Sequence, residues 1–124
     1  MKTIVAISTE ELWKGSQKTG QYVQSTIDST LEDVGFIHCT FPDQTLETAN
    51  KHFLARNDIL LLFIDMDKVK SPVKIEAALS GRPGLFPHIY GALNTDAVFA
   101  QSELKKNAEG RFMASPMLQE LIER

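Results

Sequence analysis

Three histidines, His38, His52 and His88, are the side chains of this chain best suited to proton transfer or hydrogen bonding near neutral pH. Two of them lie in short apolar segments that also hold glycine and aromatic residues. These are Gly35–Phe41 (G-F-I-H-C-T-F) and Phe86–Gly91 (F-P-H-I-Y-G). A lone histidine in such a setting is usually a core residue satisfied by backbone groups. Two in glycine-flanked segments raise the weight of a functional site. Side chains alternate between faces in extended backbone, so His38 shares a face with Phe36 and Thr40. Cys39 then points the other way with Ile37 and Phe41, which argues against a Cys39–His38 nucleophile pair. By the same alternation His88 shares a face with Phe86 and Tyr90, and Ile89 turns to the core. His52, beside Phe53 on an apolar helix face, reads as structural.

Other candidates are weaker in isolation. Cys39 has no basic neighbour on its own face to activate it and reads as a buried, slowly reacting thiol. Glu76 ends an alternating segment, where a solvent-facing residue is the ordinary outcome. Arg82, in S-G-R-P-G, reads as a mobile, exposed arm that can contact an anion. Asp65 reads as a turn or cap residue. The histidine spacings match no common local ligand pattern, so no metal site is expected. No phosphate-binding Walker loop, dinucleotide fingerprint, nucleophile elbow or HExxH motif is present.

Several elements must position these groups. Thr3–Ile7 is β-branched and apolar and predicts a strand. Ser8 begins S-T-E-E, a capping box for a helix ending at Thr19-Gly20. Gln21–Ser25 is a short strand or extended loop, and Asp28–Asp33 is polar and irregular. Gly35–Phe41 predicts a strand. Pro42 suits the first turn of the next helix, where Leu46, Ala49 and Phe53 recur at helical spacing. Ile59–Ile64 is apolar on both faces and predicts a central strand. Val73–Glu76 alternates as a strand, Pro83-Gly84 is a turn, and Val98–Ala100 is a last strand. Pro116 opens a C-terminal helix over about 116–123. Strands and helices interleave irregularly, so the expected class is α+β rather than a doubly wound sheet.

The chain of 124 residues, 43% apolar and 23% charged, is of a size and composition for one domain with a core of its own. Its net charge of −3 argues against broad nucleic-acid binding, which needs a concentrated basic face. A single cysteine allows no internal disulfide and fits a reducing compartment. No segment is long and apolar enough for a signal peptide or a membrane span, so a cytoplasmic location is the default expectation.

Taken together, G-F-I-H-C-T at 35–40, K-H-F at 51–53, L-F-I-D at 62–65, K-I-E at 74–76 and F-P-H-I-Y-G at 86–91 resemble, in order, the bacterial "domain of unknown function 952" family. The resemblance covers about residues 1–104. Ile75 stands where the family has tryptophan, and Cys39 where an aliphatic residue is common. The resemblance implies a small, twisted, split β core with flanking helices, similar to the ADP-ribosyltransferase scaffold, with a cleft between its sheet portions. It implies a nucleotide or NAD-type ligand in that cleft and ADP-ribosyl or other glycosidic-bond chemistry. His38 would hold sugar hydroxyls, Tyr90 would stack on a flat base, and Glu76 would stabilise an oxocarbenium-like cation. Thr40, Arg82 and His88 would complete the ligand contacts. Glu76 precedes Tyr90, the reverse of the transferase order. The alternative is a non-catalytic domain that binds a metabolite or a protein, and a glutathione-linked transferase ranks last.

Overall fold

A computed structural model describes residues 1–124. The chain is α+β, with mostly antiparallel sheet and four α-helices. Strand β1 (Thr3–Thr9) leads directly into helix α1 (Glu10–Thr19). The cap is Thr9 rather than Ser8: the Thr9 hydroxyl accepts from the Leu12 amide at 3.2 Å. Ser8 is instead a fully buried strand residue whose Oγ accepts from the Tyr22 hydroxyl at 2.8 Å. The strand runs two residues beyond the apolar stretch because its polar end finds partners inside. Gly20, at φ +81°, closes α1 as expected.

The segment read as irregular holds order. Strands β2 (Gln21–Tyr22), β3 (Gln24–Thr26) and β4 (Ser29–Thr30) lead into the short helix α2 (Leu31–Val34), capped by Thr30. The following segment is less regular than its composition suggests. Only β5 (Ile37–His38) is a named strand, and Thr40 makes an isolated bridge to Val5. Helix α3 (Pro42–His52) starts at the proline, with Gln44 Oε1 accepting from the Phe41 amide.

Strand β6 (Ile59–Asp65) is the centre of one sheet, between β1 and β10 (Val98–Glu103), antiparallel to both. Its alternate residues feed two cores. Leu60, Leu62 and Ile64 pack with Ile4, Ala6 and Trp13, and Ile59, Leu61 and Phe63 with Val5, Ile7 and Ala49. Apolar residues on both faces therefore mark a strand covered on both sides. A second antiparallel sheet has the order β5, β8 (Leu85–Ile89), β7 (Val73–Ala77). A two-stranded piece pairs β2 with β9 (Leu93–Asn94), and another pairs β3 with β4. Helix α4 (Pro116–Glu123) covers the second core with Leu118.

The two larger sheets meet at the Val5–Thr40 bridge, where each amide donates to the other residue's carbonyl at 2.8 Å. The β core is thus split, and the segment carrying His38 and Thr40 runs along the join. No helix is long and apolar enough to cross a membrane.

Candidate functional site

His38 and His88 are direct cross-strand partners of β5 and β8. Their ring centroids lie 5.4 Å apart with planes at 62°. Residues opposite each other on antiparallel strands share a face, so pairing two histidines in register places both imidazoles together. Phe36 packs beside both, its centroid 4.2 Å from the His88 ring and 4.7 Å from the His38 ring.

Each imidazole is fixed through Nδ1. His38 Nδ1 lies 2.9 Å from the buried Ser25 hydroxyl. His88 Nδ1 lies 2.9 Å from Glu76 Oε1. A carboxylate only accepts, so His88 carries its Nδ1 proton. The Tyr90 hydroxyl donates to the same Glu76 oxygen in a short contact. Neither Nε2 has a protein partner. His88 is 1% exposed and lies on the wall of a cavity, and the one sealed side-chain nitrogen or oxygen without a partner is Trp13 Nε1.

The partners set the charges. Hydrogen bonds from Tyr90 and then from His88 hold the Glu76 carboxyl below its ordinary pKa. The same bond to Glu76 holds the Tyr90 phenol above its own. Burial, then the charge of His88, pushes the His38 imidazole down, favouring its neutral form. Burial raises the Cys39 thiol to about 12, so Cys39 is an inert thiol at neutral pH.

His38 and His88 line a cavity of about 430 Å³ along the join between the sheets. Thr40 and Arg82 line it too, as do Ser25, Thr48 and Phe86. Glu76 and Tyr90 are not on its wall. They sit behind His88 and reach the cavity through it. The structure therefore brings together all six residues singled out from the sequence, four on the cleft and two behind it.

Two expectations change. Arg82 is not a mobile, exposed arm. Its side chain is 9% exposed, with Nη1 donating to Thr48 Oγ1 at 2.6 Å and the guanidinium 4.8 Å from the Phe86 ring centre. Its only acidic partner is the exposed Glu47 at 3.5 Å. Flanking glycines suggest freedom, but the long arginine stem packs along an aromatic face and gains a hydroxyl acceptor. His52, set aside as structural, lines the same cavity, so all three histidines of the chain face one cleft. Its place in K-H-F, between two histidine segments of the family pattern, was the signal available. The Thr40 hydroxyl pairs with the buried Thr45 hydroxyl at 2.8 Å. No three or more histidine, cysteine, aspartate or glutamate side chains converge as a metal site would require.

A model of the family described as "Protein of unknown function (DUF952)" matches residues 7–101. Among solved structures, the crystal structure of protein CC0527 from Caulobacter crescentus is similar at TM-score 0.78 and 29% identity, covering 94% of this chain and 98% of that one. A double mutant of the same protein superposes equally well. Its solution NMR structure matches at TM-score 0.72 over 90% of this chain and 91% of that one. No curated protein matches the chain.

Proposed function

Because this chain belongs to the DUF952 family of proteins of unknown function, we propose a function from its own side chains: the cleft binds a small nucleotide-type ligand of the NAD or ADP-ribose class. The observation that carries this is the pairing of His38 and His88, both Nε2 atoms free, on a wall shared with the largely buried Arg82. The imidazoles supply hydrogen bonds for sugar hydroxyls. Arg82 supplies a planar cation for phosphate oxygens, with most of its donors unused. Phe86 and Phe53 supply apolar wall for a flat ring. A cavity of about 430 Å³ is of the size that small-molecule sites have. The split sheet is in keeping with an ADP-ribosyltransferase-like scaffold.

In this reading His38, His88, Arg82 and Thr40 contact the ligand. Glu76 and Tyr90 act on it by way of His88. Glycosidic-bond or ADP-ribosyl chemistry would need a carboxylate beside the sugar. Glu76 supplies the residue type, but it stands behind the cleft wall. That placement favours, as a second reading, a domain that binds its metabolite without transferring it.

Titration of the protein with NAD, ADP-ribose and nucleoside monophosphates, followed by NMR, tests the binding. Saturable shifts at His38 and Phe86 are expected. His38→Ala and Arg82→Gln are expected to weaken binding at least tenfold with the melting temperature largely kept. If wild type binds none of these compounds, the proposal fails. Release of nicotinamide from NAD would establish the glycosidic reaction, and binding without release would favour the second reading.

A further inference from the structure

We infer that the paired imidazoles form an acid–base couple for phosphodiester transfer, acting on a nucleoside 3′-phosphodiester with a free 2′-hydroxyl. This rests on the nucleotide reading of the cleft and adds the reaction. Displacement at phosphorus brings the nucleophile in on one side and sends the leaving oxygen out on the other. It therefore calls for two proton-carrying groups whose ring nitrogens reach the phosphorus from either side, and a fixed cation beside them. The cleft has this set. The His38 and His88 rings stand 5.4 Å apart, each with Nε2 free. Arg82 is held over Phe86, the same-face neighbour of His88 on β8.

The two rings have opposite partners, and this assigns their roles. His38 Nδ1 meets a neutral hydroxyl, that of Ser25, and burial favours the unprotonated ring. It is the base. His88 Nδ1 donates to the Glu76 carboxylate at 2.9 Å, an anion that forms an ion pair with the ring when Nε2 also carries a proton. It is the acid. Glu76, with Tyr90 behind it, is a positioning residue, because it touches His88 and not the cleft. The single acidic residue on the cleft wall is Asp28, whose exposed carboxylate faces Arg56 at 3.8 Å. Apart from it the wall carries no carboxylate, and the one nearest Arg82 is the exposed Glu47 at 3.5 Å, outside the lining.

The step balances. His38 Nε2 takes the proton of the 2′-hydroxyl, and the 2′-oxygen forms a bond to phosphorus. The bond from phosphorus to the leaving oxygen breaks with its electron pair, and that oxygen takes the proton from His88 Nε2. The products are a 2′,3′-cyclic phosphate and an alcohol. Solvent returns one proton to His88 and removes one from His38.

The leaving group tests these assignments. Wild type, His38→Ala, His88→Asn and the milder Glu76→Gln are assayed on adenylyl-adenosine, whose leaving alcohol needs a proton. They are assayed also on adenosine 3′-(4-nitrophenyl phosphate), whose leaving phenolate needs none. Wild type is expected to cleave both. His38→Ala should lose roughly 10²–10⁴-fold on both. His88→Asn and Glu76→Gln should lose activity on the first and keep most of it on the second, a split that a loss of folding cannot produce. The 2′-deoxy analogue, followed by NMR, should bind and stay intact. If the compounds bind and wild type cleaves neither, the inference is overturned and the ligand reading stands. If none binds, both fall. Equal losses of the acid variants on the two substrates would overturn the assignment of His88.

Discussion

The Glu76 oxygen joins three side chains into one unit at the residue scale. It accepts from Tyr90 and from His88, and His88 stands against His38. This unit should register in stability as pH falls. The folded chain holds the His38 pKa below the ordinary imidazole value, so the unfolded chain takes up the proton more readily. The contribution of His38 is therefore full above about pH 6.5 and is lost as pH drops through the folded value. Glu76, also held low, acts in the same direction at lower pH. Its contribution is present above the ordinary carboxylate value of about 4.3 and is lost as pH falls through its folded value. Denaturant melts at a series of pH values should show stability falling below about pH 6.5 for wild type. The slope just below that pH should be shallower in His38→Ala, and an unchanged slope would remove His38 from the account. Cys39 behaves by burial alone. At 3% exposure and with its thiol raised to about 12, it should be labelled by iodoacetamide at neutral pH only as fast as the protein opens. Rapid stoichiometric labelling of native protein would contradict that.

Strand β6 shows how an element was legible before its neighbours were known. I-L-L-L-F-I has no polar face, and a strand with no polar face must be covered on both sides. Leu61 and Leu62, both fully buried, face opposite cores. Leu61→Ala and Leu62→Ala should each cost about 2–5 kcal/mol in denaturant unfolding, the usual cavity cost. A near-zero change at either would mean that one face is open. Helix starts were less legible, because Ser8 and Thr9 can both cap. The choice fell to Thr9 once Tyr22, fourteen residues on, took the Ser8 hydroxyl. A glycine, Gly91, follows two residues after the end of β8. Gly91 has φ +147°, and a Cβ there would lie 2.5 Å from the Ser71 hydroxyl, which itself donates to the Ala92 carbonyl. Gly91→Ala should therefore lower stability by about 1–3 kcal/mol and disturb Tyr90 next to it. Proton spectra with the Tyr90 and His88 resonances unmoved would count against that coupling.

Across the whole molecule, residues far apart in sequence meet at the join of two sheets. His38 comes from β5, His88 from β8, Glu76 from β7, His52 from the end of α3 and Arg82 from the return between β7 and β8. The sequence by itself determined the class of fold, the central strand, the proline-started helices and the two histidine segments. Each of these follows from periodicity or from a local backbone rule, and such rules act over a few residues. The face shared by Phe86, His88 and Tyr90 followed from the same alternation. Only the tertiary structure decided the rest. It set the register that places His38 opposite His88, the burial of Arg82 against Phe86, the turning of Glu76 toward Tyr90 and away from the cleft, and the arrival of His52 on the same wall. The physical reason is that strand register and side-chain partners are fixed by contacts between distant segments. Moving a strand by one residue reverses every side chain it carries, and no local pattern in either strand records which partner it will meet.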